Sequence, residues 1–337
     1  MRIESKNIIV AGVRKCGTTS VFSLLAASDQ VSASRIKEPQ FFACEEATVR
    51  EHFQWYEDLC PDKELPYRLE ASTFYFTSPR AAGLIEKYCS DPYVILVLRD
   101  PARRFFSSFQ HQRKQLPCSD HRDFDGILSD LEECPEGEDI FDFEARLVEA
   151  AVDKGLVEKG FVDQTFHRRR FDAEFETTVY DPYASYKYLS ESSYSTYLPL
   201  WESVFGDRLH IVFFEDLCDP QGKTIQELYD FVGLPPNTAP AALPRENQTR
   251  LPSSYLARLL LTIRRDSQLG RAFAGSAKRL GLQKIGAGFR EAMLLKNSDK
   301  MTGAQRSRLV ELLFKEYQYW GARNPAVLRK WSTQTSK

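Results

Sequence analysis

Apolar runs and helical spacings alternate along the first third of the chain. Asn7–Val13 and Tyr93–Leu98 are apolar almost throughout, which predicts two buried strands of a parallel sheet. Thr18–Ala27 carries apolar residues at helical spacing, and a second helix is expected from Pro101 to about Lys114. Each of these strands is therefore followed by a helix, which is typical of a parallel α/β sheet.

The same alternation returns in the C-terminal half of the chain. A helix is predicted over Tyr194–Phe205, a strand over Leu209–Phe214 and another helix over Thr224–Val232. One apolar face over Gly303–Tyr319 predicts a last helix. Weaker patterns predict a strand that includes Tyr67–Leu69 and helices over Pro79–Cys89 and Phe141–Lys154. Together these elements predict an α/β fold, a central parallel sheet flanked by helices, in a single domain of residues 1–337.

Residues 116–185 interrupt this pattern, because they are polar, rich in charge and hard to assign to helix or strand. We expect an insertion or lid within the domain. It contains the basic run His167–Arg170, which either meets an anionic acceptor or forms a solvated face. The sequence leaves both interpretations open.

Charge and cysteine content limit the class of protein. The 337 residues carry a net charge of −2, which argues against a general nucleic-acid binder. The 7 cysteines form no C-x-x-C pair, so free thiols in a reducing compartment are expected rather than a zinc site or a disulfide framework. No apolar run is long enough for a signal peptide or a membrane span. These features predict a soluble, cytoplasmic protein.

The stretch GVRKCGTTSVFSLL, which begins at Gly12, joins the first predicted strand to the first predicted helix. Gly12 and Gly17 have the spacing of a nucleotide phosphate loop, but that loop carries lysine directly after the second glycine. Here Thr18 occupies that position, and Lys15 comes two residues before Gly17. Amide groups at a helix N-terminus, a lysine and the hydroxyls of Thr18, Thr19 and Ser20 together predict an anion site. The alternative is a tight turn with a solvated Arg14–Lys15 pair.

A second cluster of anion-binding side chains follows the strand Tyr93–Leu98, in the stretch LRDPARRFFSSF. Arg99 lies just past the carboxyl end of this strand, where open α/β sheets bind ligands. Arg103 and Arg104 share a helix face with Ser107, and arginine with serine suits a phosphate. The alternative is an ordinary surface helix. Two anion sites at neighbouring strand ends would suit a nucleotide with a 5′ group and a separate 3′-phosphate.

These two motifs resemble those of the PAPS-dependent sulfotransferases, where PAPS is 3′-phosphoadenosine 5′-phosphosulfate. Gly12–Thr19 is similar to the family's G-x-x-K-x-G-T-[ST] loop. Arg99–Phe109 is similar to its R-[DN]-P-x-x-R-x-x-S-x-[YF] element at every specified position. The resemblance is to the carbohydrate branch, of heparan type and related to the N-sulfotransferases, and it covers most of the chain outside 116–185.

The resemblance implies a P-loop-like loop that binds the phosphosulfate, and it assigns the donor site. Residues that would hold the 5′-phosphosulfate are Arg14, Lys15, Cys16, Gly17, Thr18, Thr19 and Ser20. Arg99 and Ser107 would hold the 3′-phosphate. Lys15 would also be catalytic, because an ammonium group stabilises the negative charge that grows on the leaving phosphate. No metal is expected.

On the acceptor side the resemblance implies that Glu38, in KEPQFF, is the general base. The alternative is a surface glutamate paired with Lys37, itself a candidate substrate contact. In EASTFYF the chain departs from the heparan-type pattern, because Ala71 stands where those enzymes often carry lysine. Glu70 is a second candidate carboxylate, and His111 a further candidate base or acceptor ligand.

The sequence therefore predicts an enzyme that transfers a sulfuryl group from PAPS to an acceptor hydroxyl, or to an amine. The expected partner is a small-molecule or saccharide acceptor, with no nucleic acid and no membrane span. RENQTR, Arg245–Arg250, is a candidate for the adenine-side loop. Two rivals remain: a phosphate-loop kinase of small molecules, which would carry lysine after Gly17, and a nucleotide-binding protein without catalysis.

Overall fold

A parallel sheet lies at the centre of the computed structural model, which describes residues 1–114, 120–157, 183–217, 223–235, 250–252, 294–296 and 300–333. Its strands are β1 (Lys6–Gly12), β2 (Val31–Ala33), β3 (Tyr67–Ala71), β4 (Tyr93–Leu98) and β5 (Leu209–Phe213). They are ordered β2-β3-β1-β4-β5, and every neighbouring pair is parallel. Two short strands, β6 (Arg250–Pro252) and β7 (Leu294–Lys296), form a separate antiparallel pair. The predicted α/β class with a central parallel sheet is confirmed.

Helices follow most of the strands and flank the sheet. In the described residues they are α1 (Thr18–Leu25), α2 (Glu46–Glu51), α3 (Phe53–Glu57), α4 (Ala81–Tyr88), α5 (Pro101–Lys114), α6 (Phe124–Glu132), α7 (Ile140–Asp153), α8 (Tyr194–Phe205), α9 (Phe214–Leu217), α10 (Lys223–Val232), α11 (Gly303–Leu312), α12 (Phe314–Arg323) and α13 (Pro325–Thr333). None of these helices combines the length and hydropathy that a membrane span requires.

The middle of the sheet brings three strand ends to one edge. Strand β1 is buried from Asn7 to Gly12 and pairs with β3 on one side and β4 on the other. Because all three strands run in the same direction, the segments after Gly12, Ala71 and Leu98 begin at the same edge. The phosphate loop, the EASTFYF stretch and Arg99 therefore meet there.

Most predicted element boundaries agree with the structure within one or two residues, and one element differs. The helix predicted over Gly303–Tyr319 is two helices, α11 and α12, which meet at Leu313. Leu309 and Leu313 pack on the α5 side of the core, whereas Trp320 packs against the sheet side. The break falls at Leu313, whose backbone leaves the helical region with φ of −98° and ψ of 19°.

The described part of the predicted insertion packs on α5. Phe124 at the start of α6 contacts the rings of Phe105, Phe106 and Phe109, at centroid distances of 5.9, 4.9 and 4.9 Å. Residues 120–157 thereby support the helix that follows Arg99. The basic run at 167–170 and all of the candidate adenine-side loop except Arg250 lie outside the described residues.

Candidate functional site

The loop between β1 and α1 has a backbone that requires its two glycines. Gly12 and Gly17 have φ angles of 151° and 95°. A Cβ at Gly12 would lie 2.9 Å from Cβ of Phe76, and one at Gly17 would lie 2.8 Å from the Phe214 ring. Lys15 also has a positive φ of 69°, which side-chain-bearing residues adopt with strain and mainly at functional sites. The chain is thus held in one tight conformation around Lys15.

The N-terminus of α1 forms the floor of this loop. Gly17 is its N-cap, and no side-chain hydrogen bond caps the helix. The Ser20 amide donates to the Gly17 carbonyl at 3.0 Å, whereas the amides before it come too early in the helix to reach an i−4 carbonyl within it. Thr18 is buried, and Thr19 and Ser20 are half-buried in the first turn. Cys16 is fully buried, and burial raises the pKa of its thiol to about 12. Cys16 can therefore offer the loop its backbone, but not a thiolate.

Arg99 joins the two predicted motifs. Its Nη1 donates to the carbonyl oxygen of Lys15 at 3.3 Å, and its guanidinium lies 4.7 Å from the centroid of the Phe214 ring. Within the described residues, Arg99 Nε is buried and has no hydrogen-bond partner. A positive side chain with an unsatisfied donor favours a nearby anion. Ser107 lies two turns further along α5 and is half-buried.

The other arginines of the two motifs have different surroundings. Arg104 is fully buried and bonds to Glu191, Ser192 and the carbonyl of Tyr188. Arg14 donates through Nη2 to Ser185 O at 2.7 Å and to Glu191 Oε2 at 2.9 Å. Arg103 lies 3.7 Å from Asp100 on the more exposed side of α5. The described contacts of Arg14 are therefore within the protein, and its predicted contact with the donor stays a prediction.

Glu38 lies on a tight loop beside the end of β3. Its φ is 65°, and its amide donates to the carbonyl of Ala71 at 2.8 Å. The carboxylate accepts from Lys37 Nζ at 2.8 Å, Thr73 Oγ1 at 3.0 Å and Gln40 Nε2 at 3.4 Å. The following Phe41 and Phe42 are completely buried and anchor the loop. The Lys37 ion pair is present, yet the side chain of Glu38 is only 25% exposed, so it is not a free surface glutamate.

Thr73 connects Glu38 to the phosphate loop. Its carbonyl oxygen lies 3.3 Å from the position that a Cβ on Gly12 would take, and the preceding Ser72 amide donates to Val10 O at 3.1 Å. Thr73 therefore touches the start of the loop with its backbone and Glu38 with its hydroxyl. Sequence reasoning missed Thr73 and Gln40 as neighbours of the carboxylate. The position of Thr73 directly after the EAS of EASTFYF was the available signal.

Glu70 is buried and connects to the Glu38 loop through Ser72. It is 3% exposed, accepts from Ser72 Oγ at 2.5 Å and lies 3.5 Å from the hydroxyl of Tyr56. Burial raises its pKa from 4.5 to about 7, against the opposing effect of the hydrogen bonds from Ser72 and Tyr75. Ser72 Oγ also accepts from the Gln40 amide at 2.9 Å. Glu70 thus supports the loop that carries Glu38, and direct substrate contact stays a prediction.

The free energy of unfolding of the wild-type protein is expected to fall as the pH rises, and replacing Glu70 by glutamine is expected to remove this fall. The folded chain holds the Glu70 proton up to about pH 7 and the unfolded chain only to about 4.5, so wild-type stability falls across that window. Glu70→Gln removes this fall, which is at most about 3 kcal/mol. Urea unfolding at pH 5 and pH 8 measures it, with the exposed Glu149→Gln as control. An equal pH dependence in wild type and Glu70→Gln would contradict the assignment.

His111 lies on α5 one turn after Ser107 and is half-buried. Lys37 forms the ion pair with Glu38 that is described above. The structure therefore brings together Lys15, Arg99 and the first turn of α1 at one edge, with Glu38 linked to that edge through Thr73. Groups of three or more histidine, cysteine, aspartate or glutamate side chains that could hold a metal ion are absent from the part of the chain that the structure describes.

A glycine-containing β-α loop at the edge of a five-stranded parallel sheet, with an arginine from the next strand against it, is typical of P-loop-like α/β folds. The chain belongs to the sulfotransferase domain family, whose model matches residues 5–250. The family predicted from the two motifs is thereby confirmed.

The curated relatives match a limited segment. Mouse heparan sulfate glucosamine 3-O-sulfotransferase 3A1 is 30% identical over 110 residues, which are 32% of this chain and 27% of the relative. The human 3B1 enzyme is 30% identical over 112 residues, with the same two coverages. The matched part thus spans about a quarter of these relatives. They belong to the heparan-type branch that the motifs indicated.

Solved structures of the same family also align. A sulfotransferase from Alicyclobacillus acidocaldarius is 18% identical, with a TM-score of 0.47 over 72% of this chain and 87% of that chain. The sulfotransferase domain of the curacin biosynthetic pathway is 14% identical, with a TM-score of 0.40 over 72% and 81% of the two chains. Scores this low add nothing beyond the family match.

Proposed function

We propose that this protein transfers a sulfuryl group from PAPS to a hydroxyl, or to an amine, of a saccharide or glycoconjugate. The observation that carries the proposal is the contact of Arg99 with the carbonyl of Lys15. It places a second cationic group, on the neighbouring strand end, directly against the phosphate loop. One string of phosphates, as in ATP, needs only the loop, whereas a donor with separate 5′ and 3′ groups uses both.

The residues present fit such a donor. Lys15 and the amides at the start of α1 suit the 5′-phosphosulfate, with Thr18, Thr19 and Ser20 as hydroxyl donors. Arg99, whose Nε lacks a partner among the described residues, suits the 3′-phosphate together with Ser107. PAPS, when bound, supplies an activated sulfuryl group. Lys15 then stabilises the negative charge that develops on the leaving side.

Glu38 is the proposed general base. Its described donors orient both carboxylate oxygens, because Lys37 binds Oε1 and Gln40 and Thr73 bind Oε2. The remaining lone pairs of its two oxygens can accept the proton of an acceptor hydroxyl as that oxygen attacks. Thr73 keeps the base beside the phosphate loop, which an in-line displacement requires because acceptor, sulfur and leaving oxygen lie on one line.

The acceptor class rests on the relatives, which are named for heparan sulfate glucosamine. A saccharide is therefore the first acceptor to test. Ala71 leaves no lysine at the end of β3, and among the described contacts Lys37 Nζ donates to Glu38 at 2.8 Å. A reducing, cytoplasmic location is part of the proposal, and the 5 cysteines in the described residues are all free thiols.

The first experiment is calorimetric titration with 3′-phosphoadenosine 5′-phosphate, with AMP and ATP–magnesium as comparisons, on wild type and Arg99→Ala. Arg99→Ala is expected to lose about 10- to 100-fold in affinity for the bisphosphate and much less for AMP, because a charged hydrogen-bonding partner of one phosphate is removed. The exposed Arg50→Ala is the matched control. Tighter binding of ATP–magnesium would favour a kinase instead. Bisphosphate binding without transfer to any acceptor from labelled PAPS would favour a non-catalytic nucleotide-binding protein.

A further inference from the structure

Glu191 joins the phosphate loop to α5 from inside the protein. It lies in the 3-10 turn Ser190–Ser192 and is 4% exposed. One carboxylate oxygen, Oε2, accepts from Arg14 Nη2 at 2.9 Å and from Arg104 Nη1 at 2.7 Å. Arg14 belongs to the phosphate loop and Arg104 to the helix that begins after Arg99. A single buried oxygen therefore bridges the two elements that the proposed donor site uses.

The turn that carries Glu191 is itself held rigidly. Glu144 of α7 accepts from the amides of Leu189 and Ser190 at 2.7 and 2.9 Å, and from Ser190 Oγ at 2.5 Å. Arg104 adds bonds to Ser192 Oγ at 2.8 Å and Tyr188 O at 2.7 Å. The turn that carries Glu191 is thus bonded by Glu144 from the α7 side and by Arg104 from the α5 side.

The charges of this buried group do not balance. Two guanidinium groups share one carboxylate, which leaves one positive charge among the three side chains. Arg14 Nε is buried and has no hydrogen-bond partner in the described residues. The thiol of Cys16 in the loop senses Arg104 and Arg99, which both act to lower its pKa although burial dominates. The excess positive charge therefore lies at the loop, to which Arg14 belongs, and a bound anion there would offset it.

We propose that Glu191 is a positioning residue for the donor, which sets the distance between the phosphate loop and the start of α5. This rests on the proposed function, since it requires that the loop and α5 bind the same nucleotide. Glu191 acts through Arg14 and Arg104 and touches no phosphate. Without the bridge, two buried guanidinium groups would repel each other, and the loop would lose its fixed relation to Arg99 and Ser107.

The test measures how strongly the protein prefers 3′-phosphoadenosine 5′-phosphate over AMP. The preference is the dissociation constant of AMP divided by that of the bisphosphate. Glu191→Gln is expected to reduce this ratio by about tenfold, because the 3′-phosphate gains only if both elements keep their spacing. Thermal unfolding of the same samples shows that the variant is folded at the titration temperature. A variant of lower melting temperature that keeps the full wild-type ratio would overturn the proposal.

Glu316→Gln is the matched control, since Glu316 is equally buried and accepts from Ser195 and Trp320 outside this bridge. Its ratio is expected to equal that of wild type, and a fall as large as that of Glu191→Gln would overturn the assignment. If Glu191→Gln does not fold, Arg14→Gln breaks the bridge from the loop side and leaves Arg104 and Glu191 as a neutral pair. The same fall is expected. A wild-type protein that binds AMP as well as the bisphosphate would instead remove the proposed function on which this rests.

Discussion

Replacing Glu38 by glutamine is expected to lower the turnover of sulfuryl transfer by about 100- to 10,000-fold, the usual contribution of a positioned general base. Glutamine keeps the size of the side chain and can still accept from Thr73 Oγ1, whose oxygen lies 3.0 Å from the carboxylate. It cannot take a proton from the acceptor. Affinity for 3′-phosphoadenosine 5′-phosphate is expected to stay within about twofold, because the described side-chain partners of Glu38, which are Lys37, Gln40 and Thr73, all lie outside the loop Gly12–Thr19.

The measurement is transfer of labelled sulfate from PAPS to the best acceptor of a saccharide panel, with donor affinity measured by calorimetry on the same preparations. Glu51→Gln, at an exposed position with 75% side-chain exposure, is the matched control and should behave as wild type. Turnover within threefold of wild type in Glu38→Gln would show that another group accepts the proton. The adjacent Lys37 and half-buried His111 would then be tested in turn.

Replacing Lys15 by alanine is expected to lower turnover by about 100- to 1,000-fold at saturating donor, as does the loss of other groups that stabilise developing charge. The backbone of Lys15 is strained, with φ of 69°, and this conformation fixes the position from which its side chain extends. Its charge is therefore preorganised, and an ammonium ion from solution would not replace it. Binding of the bisphosphate is expected to weaken by a smaller factor, because the α1 amides and Arg99 remain.

Turnover and calorimetric affinity separate these two effects for Lys15. Lys63→Ala removes a lysine that is 55% exposed and pairs with Asp58, and serves as the control. The catalytic assignment predicts that turnover falls more than affinity. If Lys15→Ala weakened binding and left turnover at saturation unchanged, Lys15 would be a binding residue alone.

The strand, loop and helix of the proposed donor site were predictable because their sequence signals are local. β4 was predicted at its observed bounds, since a central parallel strand is a short run that is apolar on both faces. The glycines at 12 and 17 indicated the turn before α1, and their positive φ angles give the reason. β2, α2 and α3 were not predicted, because each is only three to six residues long and leaves little periodicity to detect.

The candidate site was predictable in composition and only partly in arrangement. Arg14 and Arg104 both stand in the two motifs predicted to bind anions, yet the described contacts of both include Glu191, which lies in neither motif. Glu70 and Glu38 are both carboxylates near strand ends, and the sequence could not separate them. The exposed fraction distinguishes them, since Glu70 is 3% exposed and the side chain of Glu38 is 25% exposed.

The sequence by itself determined the α/β class and the family, and it located the two motifs proposed to bind the donor, because spacing within about a dozen residues decides which groups a strand end or a helix turn can present. Only the tertiary structure decided which of those groups face each other. Thr73 meets Glu38 across 35 positions of the chain, and Glu191 meets Arg14 across 177. Contacts at such separations depend on how the sheet orders its strands and on what packs over α5, and no local pattern contains that information.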